Sequence, residues 1–207
     1  MKNNLLIKKM AGVGVLAAIV IILQSLSSLI KFGPFSITLA LIPIAVGAIL
    51  YGPLCGAFLG FCMGVVTLFD AQLFISMSPF GTVVTCILKA SLAGLVAGYV
   101  NKALYKKNKV LAIILASFVT PIVNTGIFAL FCFTIIRNDL IGSLSDFGAE
   151  SLTNLVFVVF IGVNFLVEVG TIAIFSPTIV TLIKIITKNY NLGFAYEEKE
   201  VVHDSIN

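Results

Sequence analysis

The chain has 207 residues, of which 59% are hydrophobic and 11% charged, and its mean hydropathy is +1.14. A water-soluble domain is usually about 45–50% apolar and about 25% charged, so this chain has too little charge to coat a soluble globule. Its net charge of +4 gathers at segment ends and forms no stripe that could track phosphates, which argues against a nucleic-acid partner.

The apolar residues fall in long runs, and a bilayer crossing takes about 20 of them. Lys2, Lys8 and Lys9 precede a first run to about Ile30. From Met10 onward this run exceeds the roughly 7–15 residues of a signal-peptide core, so it reads as a retained span. Lys31, Gly33 and Pro34 break the pattern. The second segment, about Ser36 to Tyr51, contains Pro43 and ends at the turn signal Gly52-Pro53. The third runs from Leu54 to about Phe69 and stops at Asp70. Both are short, so a tilted or partly re-entrant pair is an alternative to two full crossings. The fourth runs from about Phe80 to Leu104, and Lys102, Lys106, Lys107 and Lys109 make a basic loop after it. The fifth runs from Val110 to Ile136, followed by a polar stretch with Asp139, Asp146 and Glu150. The sixth lies within Ser151 to Ile186, longer than one perpendicular span.

With the N-terminus inside, six crossings put three basic clusters on the cytoplasmic side and the acidic stretch outside, as the positive-inside rule requires. The reading is an all-α integral membrane protein with six transmembrane helices and both termini cytoplasmic. Residues 1–190 form one membrane domain and 191–207 a polar cytoplasmic tail, in a multi-pass protein of the cell membrane.

Small residues are placed for close helix contact. Ala11, Gly14 and Ala18 make a smooth stripe on the first helix. It would serve either packing within the chain or docking of a partner protein. Gly56, Gly60 and Gly64, and Gly94 with Gly98, repeat the four-residue spacing and suit internal packing.

Ionisable and polar groups inside spans are costly and mark sites. Lys89 lies about 15 Å along its helix from Pro79, too deep to snorkel. It would meet an anionic ligand or pair with an internal acid such as Glu168. Asn164 and Glu168 are one turn apart and share a face. Asn124 and Thr125 follow Pro121, which removes a backbone hydrogen bond and offers a polar kink. Each of these could bind ligand or simply bridge helices. Asp70 could close a ligand in from outside. Ser76 and Ser78 sit in the loop before Pro79, where solvation is the plain alternative. Gln24 and Asn101 read as ordinary end or interface residues.

Cys55, Cys62, Cys86 and Cys132 lie in apolar runs with no CxxC pair, and His203 is in the polar tail, so neither a disulfide framework nor a zinc site is expected. The chain also lacks a P-loop, HExxH and any nucleophile–base set. No catalysis, cofactor or metal is expected.

The order of features resembles the substrate-binding S components of energy-coupling factor (ECF) vitamin transporters. It covers about Lys8 to Lys188. The matching features are the small-residue first helix, Ile42-Pro43-Ile44-Ala45-Val46-Gly47 leading to Leu50-Tyr51-Gly52-Pro53, Lys89, and Asn164-Phe165-Leu166-Val167-Glu168 before Pro177. The resemblance implies a subunit that captures a vitamin from outside. Its first helix would dock through Ala11, Gly14 and Ala18 on a transmembrane coupling subunit that carries two ATPase subunits. The stripe departs from a clean Ala-x-x-x-Ala by carrying Gly14. Pro121-Ile122-Val123-Asn124-Thr125-Gly126 resembles the fifth-helix segment of pantothenate-type S components. The implied ligand set is Lys89, Asn124, Thr125, Asn164, Glu168, Asp70 and Ser78. Riboflavin, folate or cobalamin as the vitamin, and a small membrane enzyme or channel, are the alternatives.

Overall fold

A computed structural model describes residues 2–29, 31–32, 35–36 and 38–190. Nearly all of this is helix. Helix α1 (Lys2–Ser27) is followed by a two-residue antiparallel ladder of β1 (Lys31–Phe32) and β2 (Phe35–Ser36). Then come α2 (Leu41–Tyr51), α3 (Pro53–Thr67), α4 (Gln72–Met77), α5 (Pro79–Tyr105) and α6 (Lys109–Thr134). The chain continues through α7 (Arg137–Gly142), a 3-10 turn (Ser145–Phe147), α8 (Leu152–Asn154), a π-helix (Leu155–Gly162) and α9 (Val163–Tyr190). The tail expected over 191–207 lies outside the described residues.

Four apolar stretches are long enough to cross a bilayer: Ile7–Ser27, Pro79–Tyr105, Lys109–Thr134 and Leu152–Ile186. Helices α2 and α3 are apolar but short, at 11 and 15 residues, roughly 16 and 22 Å against a hydrocarbon core of about 30 Å. Gly52 joins them at φ 99°, a conformation that favours glycine, and Pro53 opens α3 at a position where its missing N–H costs no helical bond. Ala48 faces Gly56 and Gly47 faces Leu59, so α2 and α3 lie side by side in opposite directions. They form a helical hairpin, as their shortness and the Gly52-Pro53 turn suggest.

Helices α3 and α5 approach most closely. A side chain placed at Gly56 would overlap the Gly94 backbone, one at Gly60 the Ala90 carbonyl, and one at Gly64 the Cys86 carbonyl. The four-residue spacing on α3 meets a matching four-residue row, Cys86, Ala90, Gly94 and Gly98, on α5. Small residues let the two backbones touch, which is how helices associate where lipid removes the hydrophobic drive between them.

Three apolar clusters fill the interior. One joins α2, α5, α6 and α9 around Ile49, Ile113, Ala116 and Ile183. A second gathers Phe74, Phe131, Ile136, Leu140, Leu155 and Phe160 under the α6–α8 connection. A third packs Val20, Leu41, Ile44, Leu59 and Met63 between α1, α2 and α3. Outward faces are also apolar: Leu54, Phe58, Phe80, Ile122, Leu130, Leu166 and Ile174 are exposed. Such a surface needs a lipid solvent.

Candidate functional site: a polar cavity among α1, α3, α5, α6 and α9

Between the second and third apolar clusters lies a cavity with about 80 Å³ open to the centre of a water molecule. One water needs about 10–15 Å³ on that measure, so there is room for several heavy atoms. Its floor is set by the α5–α6 hairpin. Lys89 stands sixteen residues before the end of α5 and Asn124 fifteen after the start of α6, which puts the two at one depth. Lys89 Nζ lies 5.4 Å from the centre of the Phe128 ring. No ion pair engages Lys89 among the described residues.

The local sequence explains why α6 presents polar groups here. Asn108 caps the helix by accepting from the Val110 and Leu111 amides at 3.1 Å. Pro121 removes one internal hydrogen bond a dozen residues later. The turn before it is held by Ser117 and Thr120, whose hydroxyls donate back to the carbonyls of Ile113 and Ala116. Asn124, Thr125, Phe128 and Phe131 then follow along the cavity side.

Behind this floor is Glu168, which is 2% exposed. Thr125 Oγ1 donates to one carboxylate oxygen at 3.3 Å and Asn164 Nδ2 to the other at 3.5 Å. Glu168 thus holds two lining residues without lining the cavity itself. The π-helix supplies the wall residues Phe160 and Ile161 just before Asn164. A π-helix is rare and is found mostly at functional sites.

At the opposite end, Asp70 lies in the turn after α3 and lines the cavity. It accepts a hydrogen bond from the Ser28 hydroxyl at the end of α1. Ser27 accepts from the Leu39 amide at 3.4 Å, so the end of α1 is tied to both the α1–α2 and α3–α4 connections.

Of the residues singled out from sequence, the structure brings Lys89, Asn124, Thr125, Asn164 and Asp70 to one cavity, with Glu168 directly behind. Ser78 is apart from it. It precedes α5 at the N-cap position, its side chain makes no capping bond, and its hydroxyl sits against Gly81. Ala11, Gly14 and Ala18 are exposed on the outer face of α1. A side chain at Gly14 would meet nothing, whereas one at Gly12 would run into Tyr51.

Sequence reasoning passed over Gln24, Thr82 and Thr85, all of which are buried and line the cavity. For α5 the signal was present: Thr82, Thr85 and Lys89 fall at i, i+3 and i+7, one polar stripe down an apolar helix. Gln24 had no such companion row. Three buried atoms on residues that line the cavity have no hydrogen-bond partner among the described residues: Gln24 Oε1, Thr82 Oγ1 and Asn124 Oδ1. Buried polar atoms are nearly always paired, so three unpaired ones on one cavity describe a site built for something polar. Among the described residues no group of three metal-ligating side chains occurs.

The family model for the ECF transporter substrate-specific component matches residues 8–187. Neither the curated proteins nor the solved structures contain a match. A match over that much of the chain, together with a helical lipid-facing fold that surrounds a polar cavity, leads to one conclusion: the chain belongs to the ECF transporter substrate-specific component family and is an integral membrane protein of that transport system.

Proposed function

We propose that this chain captures a vitamin, pantothenate in the first instance, from outside the cell and delivers it through a transmembrane coupling subunit and two ATPase subunits, with no catalysis of its own. The observation that carries the reading is that Gln24, Thr82 and Asn124, whose buried oxygens Oε1, Oγ1 and Oδ1 have no hydrogen-bond partner among the described residues, line the same cavity as the Lys89 cation. Pantothenate would supply a carboxylate to Lys89 and amide and hydroxyl donors to the unpaired oxygens. A charge-assisted hydrogen bond is roughly twice as strong as one between neutral groups. Family membership supports the coupling and ATPase partners. The exposed Ala11, Gly14 and Ala18 surface supports α1 as the docking face, because nothing in the described fold uses it.

The test is mass spectrometry of small molecules released from the purified protein, with a binding titration. Pantothenate in one-to-one amount is the expected result. A different vitamin would overturn the pantothenate assignment and leave the capture role. Absence of any small molecule, with no response to a panel of vitamins, would overturn capture itself.

A further inference from the structure

Resting on that capture reading, we propose that the ligand lies lengthwise in the cavity, its anionic end at Lys89 and a hydroxyl end at Gln24 and Thr82, so that Gln24 of α1 is a specificity-determining contact. The two ends of the cavity differ in chemistry. At the floor are the Lys89 ammonium and, at the same depth, the unpaired Asn124 Oδ1. At the other end are the unpaired Gln24 Oε1, one turn from the end of α1, and Thr82 Oγ1, one turn into α5. The α5 rise from Thr82 to Lys89 is roughly 10 Å. Phe74 packs edge-on against Phe128, Phe131 and Phe160, with centroids 5.5, 6.4 and 5.9 Å away, and all four rings line the cavity, which gives it an apolar wall.

A molecule with an anion, an N–H near it, an apolar middle and a hydroxyl at its far end would satisfy these groups. A hydroxylated N-acyl amino acid has that order. Pantothenate has eight bonds from its carboxylate carbon to its primary hydroxyl oxygen, roughly 9 Å when extended at about 1.1–1.2 Å per bond, similar to the helix rise, and a geminal dimethyl group for the apolar wall. The reverse orientation would set a carboxylate at the Asp70 end of the cavity and would leave Lys89 without an anion.

The experiment is a binding matrix. Three probes are used: pantothenate, its neutral alcohol panthenol, and N-(3,3-dimethylbutanoyl)-β-alanine, which lacks both hydroxyls. Four proteins are used: the native chain, Gln24→Leu, Lys89→Met, and Thr82→Val, which sits at the hydroxyl end and should follow Gln24→Leu. Thermal midpoints without ligand show that each variant is folded. The native chain should bind panthenol and the deoxy probe each at least tenfold more weakly than pantothenate. In Gln24→Leu the penalty for losing the hydroxyls should shrink to a few-fold while the charge penalty persists. In Lys89→Met the pattern should invert. If Gln24→Leu leaves the hydroxyl penalty whole, or removes the charge penalty instead, the orientation is overturned. If the native chain binds none of the probes, the pantothenate assignment fails, and the molecule released from the purified protein decides the orientation. An anion whose affinity falls at least tenfold in Gln24→Leu supports it, and a ligand without an anion, or one indifferent to Gln24, overturns it.

Discussion

The Lys89 ammonium rests over the Phe128 ring at 5.4 Å and has no ion-pair partner among the described residues. A cation–π contact contributes about 0.5–2 kcal/mol, while an ion taken out of water in a protein loses several kcal/mol. The ring therefore offsets only part of that cost, and an arriving anion has an interaction waiting for it. Hydrogen bonds to charged groups are worth about 1.5–3 kcal/mol. Lys89→Met should therefore weaken pantothenate binding by roughly 10- to 150-fold, while the ligand-free thermal midpoint holds or rises because a partly compensated charge is removed. Unchanged affinity in a titration would remove Lys89 from the site.

Glu168 positions Thr125 and Asn164 through one long hydrogen bond each. Glu168→Gln keeps acceptor and donor atoms in place and should cost only a few-fold in affinity. Glu168→Leu removes the acceptor of both half-buried partners, frees Thr125 and Asn164 to turn away from the cavity, and should weaken binding more than Glu168→Gln does. Equal losses in the two variants would mean that the charge itself, rather than its hydrogen bonding, matters.

Two glycines should respond in opposite ways. Gly60→Val drives a side chain into the Ala90 backbone. It should destabilise the fold by about 1–3 kcal/mol or more, read as a lowered thermal midpoint and poor recovery of folded protein. Gly14→Leu enters open space and should leave folding and vitamin binding intact while blocking uptake in cells that hold the whole transporter. Loss of binding in Gly14→Leu would contradict its outward placement.

Asn101 is fully buried in α5 with both amide atoms unpaired. Replacing an unsatisfied polar group by an apolar one of similar shape relieves its desolvation cost. Asn101→Leu should raise the thermal midpoint by several degrees. A lowered midpoint would show that the amide has a partner in the membrane-embedded protein.

Much of the architecture was legible because span length is a one-dimensional property. Six apolar runs, the Gly52-Pro53 turn and the shortness of α2 and α3 can all be read by counting. The glycine rows of α3 and α5 marked both helices for internal packing by their spacing, while the pairing of one row with the other is seen only in the fold. Lys89, Asn124, Thr125 and Asn164 stood out because polar groups are conspicuous in apolar helices. Helices α4 and α7 did not stand out, since they are six residues each and lie in mixed connections. The π-helix was hidden because an unbroken apolar run such as Leu155–Ile161 carries no periodicity from which its winding can be read. Gln24 was hidden for a related reason: α1 is apolar all round, so only its neighbours in space decide which side meets the cavity. The Ser28–Asp70 bond joins residues 42 apart in the chain and has no local signature.

The backbone contact along Gly56, Gly60 and Gly64 leaves α3 and α5 no slack with which to slide or rotate. Whatever shape change accompanies loading and unloading must therefore be taken up by the remaining helices. The α3–α5 pair is then a fixed wall bearing Lys89, and the ligand is gripped or let go by what moves against it.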